Sequence, residues 1–294
     1  MRRLLIILSS AIVLTSCNIG FDGGESGGGR LKVVATIFPV FDFTRAVAGG
    51  AADVTMLIRP GSSVHSYDPS VSDIKRINEC DAFVCVGGES EAWVDKLDLN
   101  GKTAIRLMDY FSPLEDGDGN YDEHIWTDPY NAGVCLTAIA GAMAEIDPEN
   151  AGVYRNNEKN YGEGLKTLEA DIADIVKTAK RDKIVVADRF ALRYFTERYG
   201  LEYEAAFNAC HDQSDASAAT VARLIKTVKA EGIPYIYYAE LSNNKVAAAV
   251  SRETGAQTLL FHSCQNVTGE EFERGETYLS LMRQNAENLK KGLN

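Results

Sequence analysis

Short apolar runs, separated by polar turns, recur along the chain from residue 31 onward. Leu31–Ile37, Val54–Ile58, Ala82–Val86 and Thr103–Leu107 form one set. Lys183–Ala187, Tyr235–Ala239 and Thr258–Phe261 form a second. The runs are mostly Val, Ile, Leu, Phe and Tyr without strict alternation, the pattern of strands covered on both faces. Helical periodicity lies between them, at Phe43–Ala48, Val71–Asn78, Asn131–Ile146, Ser217–Glu231 and Asn244–Thr254. Strands alternating with helices predict parallel sheets. Between the two sets, residues 149–180 read as one long helix, with Tyr161, Leu165, Leu168, Ile172 and Ile175 stepping by four and three along one face. Asp147 is placed to cap it and Pro148 to open it. The expected fold is α/β, with two lobes, each a mostly parallel sheet flanked by helices, joined by one long backbone helix. Residues 31–147 form the first lobe, 148–180 the linking helix and 181–294 the second lobe.

The start of the chain does not fit this pattern. Arg2 and Arg3 precede an apolar run over Leu4–Leu8 and Ala11–Leu14. That run is too short for the ~20 residues a membrane span needs, and has the order of an export signal. Leu14-Thr15-Ser16-Cys17 resembles the lipobox of bacterial lipoproteins, in which the cysteine is acylated and becomes the new N-terminus. Residues 1–16 are therefore expected to be a signal peptide, Cys17 the lipidation site, and residues 17–30, rich in glycine, a flexible tether. The mature chain is expected outside the cytoplasmic membrane, hung from its outer face by acyl chains.

Composition narrows the function. The chain is 45% hydrophobic, enough to build cores, and carries a formal charge of −12. Such an acidic balance argues against nucleic acid, whose binders need a basic stripe to release counterions.

In open α/β sheets, ligands bind beyond the carboxyl ends of the strands. Asp188, Glu240 and His262 each directly follow a predicted strand, and His65 lies seven residues past Ile58. His124 sits in a loop ahead of the helix that starts near Pro129. Imidazoles and carboxylates drawn from both lobes suit a divalent cation of the first transition row. Asp188 could instead pair with Arg189 or Arg193, and Glu240 could bond a neighbouring backbone. His211 reads as a surface histidine in a polar loop.

These segments, in this order, resemble the metal-binding lipoproteins of bacterial ABC importers for zinc and manganese. The resemblance rests on Val34 to Pro39, on Arg59-Pro60-Gly61 through Ser70, on Val86 to Val94, and on Asp122-Glu123-His124-Ile125-Trp126-Thr127-Asp128-Pro129. Arg193-Tyr194-Phe195, Arg198 to Leu201 and Glu253 to Ala256 extend it over residues 31–294. It implies two lobes bridged by a rigid helix with the metal between them. It also implies His65 and His124 as the first two ligands and His262 at the fourth position. The third ligand of the family is commonly a histidine ahead of the Tyr-Phe pair. Here the chain has Ala187-Asp188-Arg189, so Asp188, Glu240 or water completes the set. The histidine-rich loop of many zinc members is replaced by the acidic stretch Leu114 to Asn120. Three imidazoles and a carboxylate favour Zn2+ over Mn2+.

The resulting expectation is a monomeric carrier that captures a divalent cation and delivers it to an ABC permease. Cys210 and Cys264 flank loops of the second lobe and are expected to pair, while Cys80, Cys85 and Cys135 read as buried thiols. The rival class is a metal-dependent hydrolase with Glu240 or Asp188 as base. Against it, the chain has no His-Glu-x-x-His.

Overall fold

A computed structural model of the chain describes residues 29–99, 101–115, 119–208 and 216–294. The expected signal peptide, Cys17, most of the tether, His211 and Cys210 lie outside the described residues.

The first lobe holds β1 (Leu31–Ala35), α1 (Phe38–Ala48), β2 (Ala52–Met56), α2 (Val71–Glu79), β3 (Ala82–Cys85), β4 (Thr103–Arg106) and α3 (Pro129–Ile146). Its sheet has the order β2-β1-β3-β4, all parallel. After α4 (Ala151–Lys177), the second lobe adds β5 (Lys183–Phe190), α5 (Arg193–Tyr199), β6 (Glu202–Asn208), α6 (Ala218–Glu231) and β7 (Tyr235–Tyr238). It ends with α7 (Lys245–Thr254), β8 (Gln257–Leu260), α8 (Gly269–Glu273) and α9 (Tyr278–Gly292). Its sheet, β6-β5-β7-β8, is also parallel. Strand order reverses between β1 and β3 in one lobe and between β5 and β7 in the other. A ligand crevice opens at the carboxyl side of such switch points.

Local chemistry sets the elements. β3 is buried at every residue, as a central strand between two helical layers must be. Ser70 and Asp73 form a reciprocal capping box at the start of α2, and Asp128 caps α3 ahead of Pro129. Gly49 ends α1 in the left-handed conformation, and a Cβ there would meet the Asn157 amide at 2.1 Å. That close approach lets Asn157 on α4 donate to the Val47 carbonyl at the end of α1.

The linking helix α4 has 27 residues, on the order of 40 Å at ~1.5 Å per residue. Its buried stripe of Tyr154, Leu165, Leu168 and Ile172 belongs to a hydrophobic core that runs through both lobes. Asp147 does not cap α4 directly. It precedes a 3-10 turn over Pro148–Asn150 and accepts from the Tyr154 hydroxyl at 2.6 Å. Buried Asp42 joins α1, α4 and α9, accepting from Arg45, the Tyr161 hydroxyl and the Tyr278 amide. No helix among the described residues is long and apolar enough to cross a membrane.

Four elements go beyond the expected set, α5, β6, α8 and α9. Strand β6 lies at a sheet edge, and helix α9 packs on α4 and closes the core.

Candidate metal centre

His124 lies past β4, fully buried, just ahead of α3. Its Nδ1 stands 2.9 Å from Asp122 Oδ1, and the same oxygen accepts the His124 main-chain N–H at 2.8 Å. A carboxylate accepts only, so Nδ1 carries the proton and the Nε2 lone pair is left open. That Nε2 is buried and has no hydrogen-bond partner. Burial works against a charged His124 ring, but Asp122, with Glu123 and Glu240 behind it, outweighs burial and raises its pKa. Burial likewise pushes the Asp122 carboxyl up, and the bonds and charge of His124 more than offset this and hold it low. A carboxylate behind a histidine, fixing its tautomer and facing, is the common arrangement behind metal-binding imidazoles.

The His65 ring lies 5.9 Å from the His124 ring, centroid to centroid. Its loop is clamped to the second lobe. Gly61 N donates to Val267 O at 2.7 Å, and the Asn266 amide donates to Arg59 O and Ser62 O. Further bonds cross between the lobes from Trp126 Nε1 to Ser263 O, from the Tyr194 hydroxyl to Asp122 O, and from Arg198 to Asp128. Between the lobes is a cleft of about 350 Å3 lined by His65, Asp188, Arg189, Glu240 and Gln265, among others.

Glu240 directly follows β7, and its carboxylate is nearly buried. Ser263 donates to it from both main-chain N (2.7 Å) and hydroxyl. Its Oε2 lies 3.7 Å from His262 Nδ1. Asp188 spends its two oxygens on main-chain groups, accepting from Arg189 N at 2.9 Å and Ala239 N at 3.3 Å. It thereby braces β5 against the end of β7. The register of β5 on β6 shifts between Val186 and Arg189, and this irregularity lets the neighbours Asp188 and Arg189 both line the cleft.

His262 is placed differently from the expected fourth ligand. Phe261 and Ser263 on either side line the cleft, but the His262 ring does not. Its Nδ1 accepts from Cys264 N at 2.9 Å, and its Nε2 faces Glu271 at 3.7 Å. Its own backbone is held at both ends by the Asn285 amide. Burial disfavours the charged ring, but Glu240, Cys264 and Glu271 outweigh it and hold the pKa well above the ordinary range. The same ring draws the Glu271 carboxyl down to about 2. Cys264 is a free, fully buried thiol. Its expected partner Cys210 lies outside the described residues.

Among the described residues, no three His, Cys, Asp or Glu side chains form a group that could hold a metal ion as they stand. The structure brings His65 and His124 together and sets His65, Glu240 and Asp188 along the same cleft; His124 and His262 both lie behind its lining, each with a buried Nε2 that has no hydrogen-bond partner among the described residues. Asp122, Glu271 and Asn285 were not singled out as site residues. Asp122 had a visible signal, a carboxylate two residues ahead of His124.

A family model described as the periplasmic zinc-uptake complex component A matches residues 33–292. The zinc-binding protein AdcA of Streptococcus pyogenes is 30% identical, with 98% of this chain and 61% of that protein covered. The high-affinity zinc uptake system protein ZnuA of Bacillus subtilis is 27% identical, with 99% of this chain and 97% of that protein covered. The crystal structure of the Zn(II)-bound ZnuA-like domain of Streptococcus pneumoniae AdcA matches with a TM-score of 0.80 and 31% identity. That match covers 90% of this chain and 99% of the domain. The chain thus spans about three fifths of the length of the AdcA proteins it matches.

Proposed function

Because this chain belongs to the family of periplasmic zinc-uptake components, we propose that it captures Zn2+ outside the cytoplasmic membrane and delivers it to an ABC permease. The cation is cargo, released again on delivery. His124 Nε2 and His65 are its nitrogen donors and Glu240 supplies an oxygen, while Asp188 braces the strand ends. Imidazole donors favour zinc over manganese. Acylation at Cys17 and the glycine-rich tether would keep the carrier, as a monomer, beside its permease. His262 supports the Ser263–Glu240 turn from behind rather than ligating.

The observation that carries this reading is the His124 ring beside that of His65, its tautomer fixed by Asp122 and its buried Nε2 without a partner among the described residues. An orphaned buried nitrogen is costly, of order 1–3 kcal/mol, unless a ligand uses it. The test is competitive zinc titration of the whole chain against a chelating dye. His124→Ala and Glu240→Ala should each weaken zinc binding at least tenfold, and manganese should bind more weakly than zinc. Wild-type zinc affinity in His124→Ala would overturn the proposal. A tenfold loss in His262→Ala with no effect of Glu240→Ala would return His262 to the ligand set.

A further inference from the structure

The cleft between the lobes is much larger than a cation among its donors requires. Its volume of about 350 Å3 lies within the ~300–1,000 Å3 range of small-molecule pockets. It also holds hydrogen-bond donors that lack acceptors. The Arg189 guanidinium, brought to the cleft by the irregularity in β5, has no hydrogen bond or ion pair among the described residues. The nearest carboxylate in sequence, Asp188, already serves two main-chain amides. Both oxygens of Glu240 are turned to Ser263. The side-chain nitrogen of Gln265, also lining the cleft, is buried and has no partner among the described residues. A buried donor without an acceptor is unfavourable, and a guanidinium fork is suited to a carboxylate.

The cation side of the cleft is short of donors. Zinc takes four ligands, and the proposed donors His65, His124 and Glu240 leave one position to fill. Arg189 lies where a third imidazole would be expected and cannot ligate a cation, but it can hold an anion that does.

We propose that the cleft takes zinc as a chelate with a small amino- or hydroxycarboxylate, whose carboxylate is bound by the Arg189 guanidinium and the Gln265 amide. This rests on the zinc capture proposed above and specifies the form of the cargo. His65, His124 and Glu240 bind the metal face of the chelate. The chelator completes the zinc coordination, and Arg189 balances its negative charge.

The test is equilibrium dialysis of the whole chain with zinc alone, with zinc plus labelled L-histidine or citrate, with zinc plus histamine, and with zinc plus acetate. L-Histidine or citrate should be retained one-to-one with zinc, whereas histamine, which lacks the carboxylate, should not. Arg189→Gln should lower chelator retention roughly tenfold or more, the loss of one charge-assisted bidentate bond. Gln265→Leu should lower it less, and Arg189→Lys should restore part of it. Thermal melts of the variants check that each is folded. Zinc retained with no chelator retained beside it when both are supplied overturns this inference and leaves zinc capture standing. Acetate retained as well as the chelators identifies a simple anion site and also overturns it. No zinc retained under any condition overturns zinc capture itself.

Discussion

Replacing Asp122 by Asn tests the central pair of the site. Asp122 Oδ1 accepts from both the ring and the main chain of His124, at 2.9 and 2.8 Å, with both side chains buried. Asparagine keeps the shape and an accepting oxygen but removes the charge. Loss of a carboxylate behind a metal-binding imidazole typically costs about 10–100-fold in metal affinity. The assay is competitive zinc titration of wild type and Asp122→Asn across a pH series. The pH dependence gives a second, independent readout. In the wild type, the His124 pKa is raised because Asp122 and the other carboxylates outweigh burial. Protons therefore compete with zinc from above the ~6.5 of an ordinary imidazole. Asp122→Asn removes the main raising group and leaves burial, which lowers the pKa. The variant ring stays neutral to lower pH, so its deficit should be widest near pH ~8 and shrink toward pH ~5.5. Equal affinities near pH 8, or a deficit constant across the series, would refute the reasoning.

Glu91 lies fully buried beside Thr36 and Glu123, and burial pushes its carboxyl up to about 7. The unfolded chain releases this proton above about pH 4.5 while the folded chain keeps it to about pH 7. Stability therefore falls across that window by about 3 kcal/mol in total. Glu91→Gln should raise the melting temperature at pH 8 and change it little at pH 5; the opposite order in calorimetry would contradict this. Asp42→Ala leaves Arg45, the Tyr161 hydroxyl and the Tyr278 amide without their shared acceptor. It should cost about 3–5 kcal/mol in denaturant unfolding, and a loss under 1 kcal/mol would show that the three helices do not depend on it. A Cβ at Gly88 would meet Glu123 Oε2 at 2.2 Å and Glu123 Cβ at 2.4 Å. Gly88→Ala should therefore displace the chain next to His124 and weaken zinc binding several-fold although Gly88 does not line the cleft; unchanged zinc titration would argue against that coupling.

Much of the fold was legible because parallel strands buried on both faces leave uninterrupted apolar runs. β3, buried at every position, is the clearest case. Strand β6 was not legible for the converse reason. It is an edge strand whose Glu202 and Tyr203 face solvent, so its composition resembles a loop. Helix α9 was hidden by polar residues on its buried face. Asn285 bonds the His262 main chain and Asn288 bonds Leu260 O, so positions a core helix would fill with Leu carry amides. Those amides secure the end of β8, and the apolar stripe that periodicity depends on is broken where they do so.

At the site, positions were legible and directions were not. His65, Glu240 and His262 are found beyond strand ends as expected, whereas Asp188 lies within β5, which runs on to Phe190 past the register shift. Which way a side chain turns at a strand end depends on contacts from distant residues. His262 is held by the Cys264 amide between Glu240 and Glu271, the latter on a helix nine residues on. Arg189 is turned toward it by an irregularity in β5 that composition does not reveal. Considered only as a ligand, Arg189 counted against the site, because a guanidinium cannot bind a cation. In a cleft whose described carboxylates are already bonded, the same side chain is a positive charge with no ion pair among the described residues. An unmatched charge at a partly buried position is unfavourable unless an anion joins it. The residue that departs most from the family's ligand pattern is therefore the one that most constrains what the cation arrives with.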